Sequence, residues 1–220
     1  MNFSNIILNW YAINGRELPW RQTTDPYAIW LSEVIMQQTK IAQGTAYWER
    51  FIKRWPNVQS LANATEDEVL REWQGLGYYS RARNLHKAAQ QIIDLGYFPQ
   101  TYNELIQLKG IGEYIAAAVY SIAFAGPVAV VDGNVYRVLA RFFGIETPID
   151  STQGKKIFKA IAQDNLPKNA PAAYNQGIMD FGAMQCTPTL PNCKVCPLIE
   201  YCFAANNNNC LLYTSPSPRD

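Results

Sequence analysis

Leu108-Lys109-Gly110-Ile111-Gly112, followed directly by Glu113-Tyr114-Ile115-Ala116-Ala117-Ala118-Val119-Tyr120, is the stretch from which the rest of the chain can be read. Two glycines one residue apart permit a tight turn and expose backbone N–H groups at a helix N-terminus, which suits an anion. The segment from Tyr114 to Ala125 is apolar on nearly every face, which predicts a central helix ended by Gly126-Pro127. A short helical stretch at 102–107 precedes the turn. By itself a Gly-x-Gly more often marks an ordinary helix–helix turn. Its weight comes from the motifs C-terminal to it: Val131-Asp132-Gly133-Asn134-Val135 about twenty residues on, and then a loop with four cysteines.

Outward from the hairpin the period remains helical. Asp25-Pro26 reads as an N-cap with proline at the first helical position, opening a helix through Tyr27 to about Gln38. Thr65-Glu66-Asp67-Glu68 is a capping box. Leu85, Ala88, Ala89, Ile92 and Ile93 form one buried stripe, and Gly96 stands where a left-handed C-cap belongs. Val135, Val138, Leu139 and Phe142 make another stripe, closed by Gly144. Further helices are expected at 152–163 and 171–184. Val128 to Val131 reads as a connector rather than a strand. The fold class is all-α.

The 220 residues are 48% hydrophobic and 17% charged, enough to build a packed core. Nineteen basic against eighteen acidic residues leave a net charge of +1, which excludes a strongly basic nucleic-acid tail but not a local basic patch. No apolar run approaches the ~18–20 residues of a membrane span. The N-terminus lacks the pattern of a signal peptide. A soluble, cytoplasmic monomer is expected, with cysteines serving as metal ligands rather than disulfides. Residues 205–220 are expected to be disordered. Their end, Leu211 to Asp220, resembles translated sequencing-adapter sequence, so it and Cys210 are left out of the functional reading.

Cys186, Cys193, Cys196 and Cys202 are separated by six, two and five residues. Zinc Cys₄ sites usually join two separate C-x-x-C pairs, and only one such pair is present. Four thiolates from one short loop suit a cubane iron–sulfur cluster, with one thiolate per iron. A zinc knuckle or four reduced core cysteines remain the alternatives on spacing alone. No redox partner site is evident, so a metal centre here reads as structural.

The order of these motifs resembles the helix–hairpin–helix DNA glycosylases of the endonuclease III superfamily. Within it the chain is similar to the catalytic region of the MutY-type adenine glycosylases over about residues 5–204. Leu18-Pro19-Trp20-Arg21, Trp30-Leu31-Ser32-Glu33-Val34-Ile35-Met36-Gln37-Gln38-Thr39 and Gly75-Leu76-Gly77-Tyr78-Tyr79-Ser80-Arg81-Ala82-Arg83-Asn84-Leu85 carry the resemblance, with the hairpin, the Asp132 motif and the cysteine loop. It implies a two-lobed fold: a six-helix barrel at about 19–125, and a lobe of 1–18 plus 126–204 around a [4Fe-4S] cluster on Cys186, Cys193, Cys196 and Cys202. It also implies base-excision repair of double-stranded DNA containing A·8-oxoguanine or A·G mispairs. A mismatch thymine glycosylase is the nearest alternative, and a non-catalytic DNA-binding module of the same fold the more distant one. A pure binder would need neither Glu33 nor Asp132.

The residues fit that chemistry. Glu33 lies one helical turn from Ile29 and from Met36 and Gln37. Loss of solvation in such a stripe favours a neutral carboxyl, able to give a proton to N7 of adenine. By position alone a solvated helix face is an equal reading. Asp132 is the expected stabiliser of a cationic sugar, either as a fixed charge or by bonding covalently to the sugar for a time, and it can also cap the following helix. Glu33 and Asp132 are required to face one hollow large enough for a purine. Asn134 matches the family residue that helps hold these groups. Tyr114 stands where bifunctional relatives have a Schiff-base lysine, so the resemblance implies a monofunctional enzyme.

The target base must leave the stack. Gln38 and Tyr78 match the family's wedge residues, and Arg21 matches one near the extruded base. Without the family, Tyr78 and Tyr79 would read as core aromatics. Arg81, Arg83, Lys87 and the hairpin residues Lys109, Gly110 and Gly112 are expected to contact phosphates. His86, the sole histidine, is expected to be solvated. The loop Thr187 to Asn192 carries no basic residue, which departs from relatives that contact DNA there. Full-length relatives also continue into a Nudix-like domain that reads 8-oxoguanine. Without it, adenine excision is expected to persist with lower selectivity for the partner base.

Overall fold

The computed structural model describes residues 2–209; Cys210 and residues 211–220 lie outside them. Among the described residues every regular element is helical. None of these helices is long and apolar enough to cross a membrane. In chain order they are α1 (Phe3–Asn14), α2 (Pro26–Ile35), α3 (Ile41–Arg54), α4 (Val58–Ala62), α5 (Glu66–Trp73), α6 (Ser80–Leu95), α7 (Tyr102–Leu105), α8 (Glu113–Phe124), α9 (Gly133–Phe143), α10 (Thr152–Asp164), α11 (Pro171–Asp180) and α12 (Phe203–Asn206). The chain divides into two compact units, Glu17–Gly126 and Met1–Arg16 with Pro127–Asp220.

In the unit Glu17–Gly126, α2 is the central post. Asp25 caps it, accepting the Tyr27 N–H at 3.0 Å, and Pro26 opens its first turn. Tyr27 to Ser32, Val34 and Ile35 are all buried, and the helix packs against α3, α6 and α8. A helix apolar on nearly every side, Glu33 apart, has to sit inside a core, since little of its surface prefers water. Its neighbours are tied to it by polar contacts as well. Trp48 Nε1 donates to Ala28 O at 2.9 Å, and Tyr27 Oη donates to Trp55 O at 2.8 Å. Phe51 meets Trp55 and Trp73 edge-on, with centroids 5.2 and 5.8 Å apart. Each such ring pair adds about 0.5–1.5 kcal/mol beyond the area it buries.

The local signals act as physical chemistry requires. Thr65 and Glu68 close the reciprocal capping box of α5, and Thr101 with Glu104 does the same for α7. Gly96 ends α6 at φ 78°. The helix after the hairpin runs over Glu113–Phe124, with Ile115 to Val119 buried.

Two expectations in this unit are corrected. The first helix stops at Ile35, three residues short of Gln38, because Gln38 takes a left-handed backbone at φ 58°. His86 is buried, 4% exposed, and its Nε2 lies 2.9 Å from Ala64 O. It falls on the apolar side of α6 between Leu85 and Ala89, where a ring with one backbone partner is at home.

In the other unit α1 packs along α11. Gly177 permits the approach, since a Cβ there would stand 2.9 Å from that of Tyr11. Asp180, with no exposed surface, accepts from the Arg16 backbone N–H at 2.9 Å and from its guanidinium. Val128–Val131 is a connector: its backbone pairs with the Asn175 amide, through Val130 N–H at 3.0 Å and Val128 O at 2.9 Å, rather than with a strand. The helix expected over 171–184 ends at Asp180 and widens into a π turn over Phe181–Gln185. The disorder expected from 205 onward is corrected for 205–209. Residues Ala205 and Asn206 belong to α12, and Asn209 N–H bonds Ala204 O at 2.7 Å.

Candidate functional site

The unit Glu17–Gly126 presents two exposed loops and the hairpin. In the hairpin Gly110 adopts φ 76°, and a Cβ there would meet Asn84 Cβ at 2.6 Å. Only glycine satisfies both demands. Leu108 and Ile111 anchor the turn in the core while Lys109, Gly110 and Gly112 are exposed. The Lys109 N–H is held by Gln91 Oε1 at 2.7 Å. Gly112 is the N-cap of α8 and has no side chain to occupy the N–H groups of its first turn. That arrangement can receive a phosphate oxygen.

Gln38 is exposed at φ 58°, and Tyr78 is 66% exposed at φ 46°. Neither tyrosine of the pair Tyr78-Tyr79 is a core aromatic. Arg83 and Lys87 lie exposed on α6, with Arg83 facing Glu66 at 3.2 Å. A surface pair of that kind is worth little and yields readily to a phosphate. Arg21, half-buried, ends the short 3-10 turn Pro19–Arg21. Glu33 is half-buried on α2, with Ile29 fully buried one turn before it. Tyr114 is half-buried in the first turn of α8 and packs on the core.

Arg81 is a correction. It was expected on the phosphate backbone, but its guanidinium is turned inward to backbone carbonyls. Nη1 donates to Val34 O at 3.2 Å, Ile35 O at 3.4 Å and Gln37 O, and Nη2 donates to Leu76 O at 3.2 Å. The carbonyls of Val34 and Ile35 are among those a helix C-terminus leaves unpaired, and a cation suits that end of the dipole.

In the other unit, Asp132 is the N-cap of α9. Its Oδ1 accepts the Val135 N–H at 2.8 Å, and its Oδ2 accepts Asn134 Nδ2 at 2.9 Å. Burial pushes the Asp132 carboxyl above the usual carboxylate range. The bonds from Val135 and Asn134 and the charge of Arg137 pull the other way and offset part of that shift. Asn134 in turn accepts from Arg137 Nη2 at 2.8 Å, and Arg137 Nε donates to Cys186 O at 2.9 Å. Gly182 lets the π turn come this close, since a Cβ there would lie 2.7 Å from Asn134 Cβ. A continuous set of hydrogen bonds thus runs from the Asp132 carboxyl to the start of the cysteine loop.

The four cysteines line one small, almost wholly apolar cavity with Arg141, Ile199 and Ala204. Arg141 is buried and lies along the loop: its Nη1 stands 3.4 Å from Cys186 Sγ and 2.7 Å from Thr187 O, and its Nη2 2.7 Å from Pro188 O. Among the described residues no group of three or more Cys, His, Asp or Glu side chains is arranged to hold a metal ion. Arg137 and Arg141 were missed from sequence. The signal available was their spacing of four on α9, which puts two buried charges on one face beside an apolar stripe.

Residues 31–164, which hold the second half of α2, the hairpin and Asp132, match the sequence model of a family described as HhH-GPD superfamily base excision DNA repair protein. The chain belongs to the HhH-GPD superfamily. It is 39% identical over 214 residues to an adenine DNA glycosylase of Buchnera aphidicola subsp. Schizaphis graminum, covering 96% of this chain and 62% of that relative. The chain therefore spans under two thirds of the length of that curated relative. The solved structure of a thermostable thymine-DNA glycosylase superposes with a TM-score of 0.86 at 27% identity, covering 93% of this chain and 95% of the other. That of a trapped endonuclease III–DNA covalent intermediate superposes at 0.78 with 22% identity, covering 93% and 94%, and shares the fold. The all-helical HhH-GPD fold expected from the motif order is the one observed.

Proposed function

We propose that this chain is the catalytic region of a monofunctional DNA glycosylase, hydrolysing the N-glycosidic bond of adenine mispaired with 8-oxoguanine or guanine. The observation that carries the reading is the fixed acid at the head of α9. Asp132 has both carboxyl oxygens bonded within a family of base-excision proteins, in a chain 39% identical to an adenine DNA glycosylase over nearly its whole length.

Each residue then has a task. Glu33 gives a proton to N7 of adenine, and the C1′–N9 bond breaks with its electron pair leaving on the base. The sugar becomes oxocarbenium-like. The ionised form of Asp132, supported by Val135, Asn134 and Arg137 against the effect of burial, stabilises that charge. Water adds at C1′ and releases a proton, leaving free adenine and an abasic site. Tyr114 offers a phenol and no amine, so no imine forms and the strand stays intact. The phosphates rest on the hairpin amides and on Arg83, Lys87 and Lys109, while Gln38 and Tyr78 enter the space the adenine vacates.

Cys186, Cys193, Cys196 and Cys202 would hold a [4Fe-4S] cluster. The all-sulfur donor set and the apolar cavity that all four cysteines line fit it. When bound, the cluster supplies a structural cross-link for the loop. Iron and sulfide analysis of the purified protein tests this, and stoichiometric zinc without iron would overturn it.

The likeness to the thymine-DNA glycosylase structure favours one second reading, removal of thymine from T·G. Base release from A·8-oxoguanine, A·G and T·G duplexes, followed by alkali, separates the two. Adenine release with strand breaks only after alkali is expected; thymine release without adenine would establish the second reading. Glu33→Gln is expected to bind the A·8-oxoguanine duplex without releasing adenine, and retained release would remove Glu33 as the acid.

A further inference from the structure

We propose that Arg81 is a positioning residue for base extrusion, one guanidinium that clamps the two loops presenting Gln38 and Tyr78. The proposal rests on the wedge role given to those two side chains above.

Three observations carry it. First, the fork reaches both loops at once. Nη1 holds Val34 O, Ile35 O and Gln37 O, at the end of α2 and one residue before Gln38, while Nη2 holds Leu76 O, two residues before Tyr78. Second, Gln38 and Tyr78 are two of only four described non-glycine residues with positive φ, at 58° and 46°. A left-handed backbone is disfavoured for such residues and persists only where its surroundings enforce it. Third, the cation is itself held in place. Its Cζ sits 5.2 Å from the Trp73 ring centroid and 5.7 Å from that of Tyr78, and Trp73 Nε1 also ties down Gly77 O at 2.9 Å. The Arg81 Nε is buried as well, so the guanidinium lies inside the unit and not along its surface.

A lysine ammonium is a single point and cannot span both loops; a planar fork can. Without the fork each loop relaxes from its left-handed residue, and each relaxation lowers the competent population about tenfold. Arg81→Lys is therefore expected to lose roughly 10- to 100-fold in excision rate and in the 2-aminopurine fluorescence rise that reports unstacking. Since charge is kept and no phosphate contact is lost, binding to an undamaged duplex and its salt slope should be unchanged.

The test is a cycle of Arg81→Lys with Tyr78→Ala and Gln38→Ala, read by single-turnover adenine release and 2-aminopurine fluorescence. If Arg81 acts through the wedge, the combined variants are little worse than the singles. Multiplying effects, or a salt slope reduced by about one, would overturn the clamp and return Arg81 to the phosphates. Unimpaired extrusion in Tyr78→Ala and Gln38→Ala would remove the wedge reading and the clamp with it. Impairment there but not in Arg81→Lys would remove the clamp alone. Should Arg81→Lys fail to fold by far-ultraviolet circular dichroism, phenylglyoxal footprinting of the unsubstituted protein decides. Arg83 should be modified in free protein and protected by DNA, and Arg81 unmodified in both. Rapid modification of Arg81 in free protein would overturn the proposal.

Discussion

Replacing Asp132 with asparagine separates two roles of one side chain. Asparagine caps a helix as well as aspartate does, so the Val135 N–H keeps its acceptor. The second oxygen is another matter. It becomes an NH₂ facing Asn134 Nδ2, now 2.9 Å from Oδ2. Turning Asn134 over only moves the conflict, because its Oδ1 already accepts from Arg137 at 2.8 Å. One donor is left unmatched, at a cost of about 1–3 kcal/mol. The opposing effect depends on pH. Burial raises the native pKa of Asp132 above its unfolded value, so the native state binds the proton more tightly. The stability this confers is full below the unfolded pKa and is lost as pH rises through the native one. The substituted amide does not titrate. The stability of Asp132→Asn minus that of the parent should therefore climb with pH, by at most about 1.4 kcal/mol per pH unit between the two pKa values, and level off above them. Urea melts of both proteins across the acid to neutral range measure this difference, in which other groups cancel. A flat difference, or one that falls with pH, would show that the hydrogen bonds outweigh burial. Adenine release should vanish at every pH.

The hairpin, cysteine loop and helix α8 give sharper all-or-none outcomes. Gly110→Ala forces a Cβ into Asn84 and a left-handed backbone at once; about 2–4 kcal/mol of stability should go, with weaker binding to any duplex by fluorescence anisotropy. Arg141→Met strips Thr187 O and Pro188 O of their charged donor, and urea melts should show a loss of about 3 kcal/mol with reduced iron content. Tyr114→Lys should gain a DNA adduct trapped by borohydride; its absence would place Tyr114 away from the reacting sugar.

Much of the scaffold is legible without coordinates, because caps and stripes are settled by residues three or four apart. Thr65 with Glu68, Asp25 before Pro26, and Gly96 and Gly144 at helix ends each act on their own turn of backbone. The cysteine spacing, the Gly110 turn and the Asp132 cap belong to the same class. Charged and strained groups do not. Arg81 sits three residues from Tyr78, yet its partners include carbonyls more than forty positions away, and only folding brings them to it. His86 turns inward for the same reason, toward Ala64 O. Arg137 and Arg141 look like the polar side of a helix until the π turn and the cysteine loop arrive to receive them. A helix needs only its own neighbours to form. A buried cation needs acceptors from several segments, and which segments those are is decided by the packing of the whole unit.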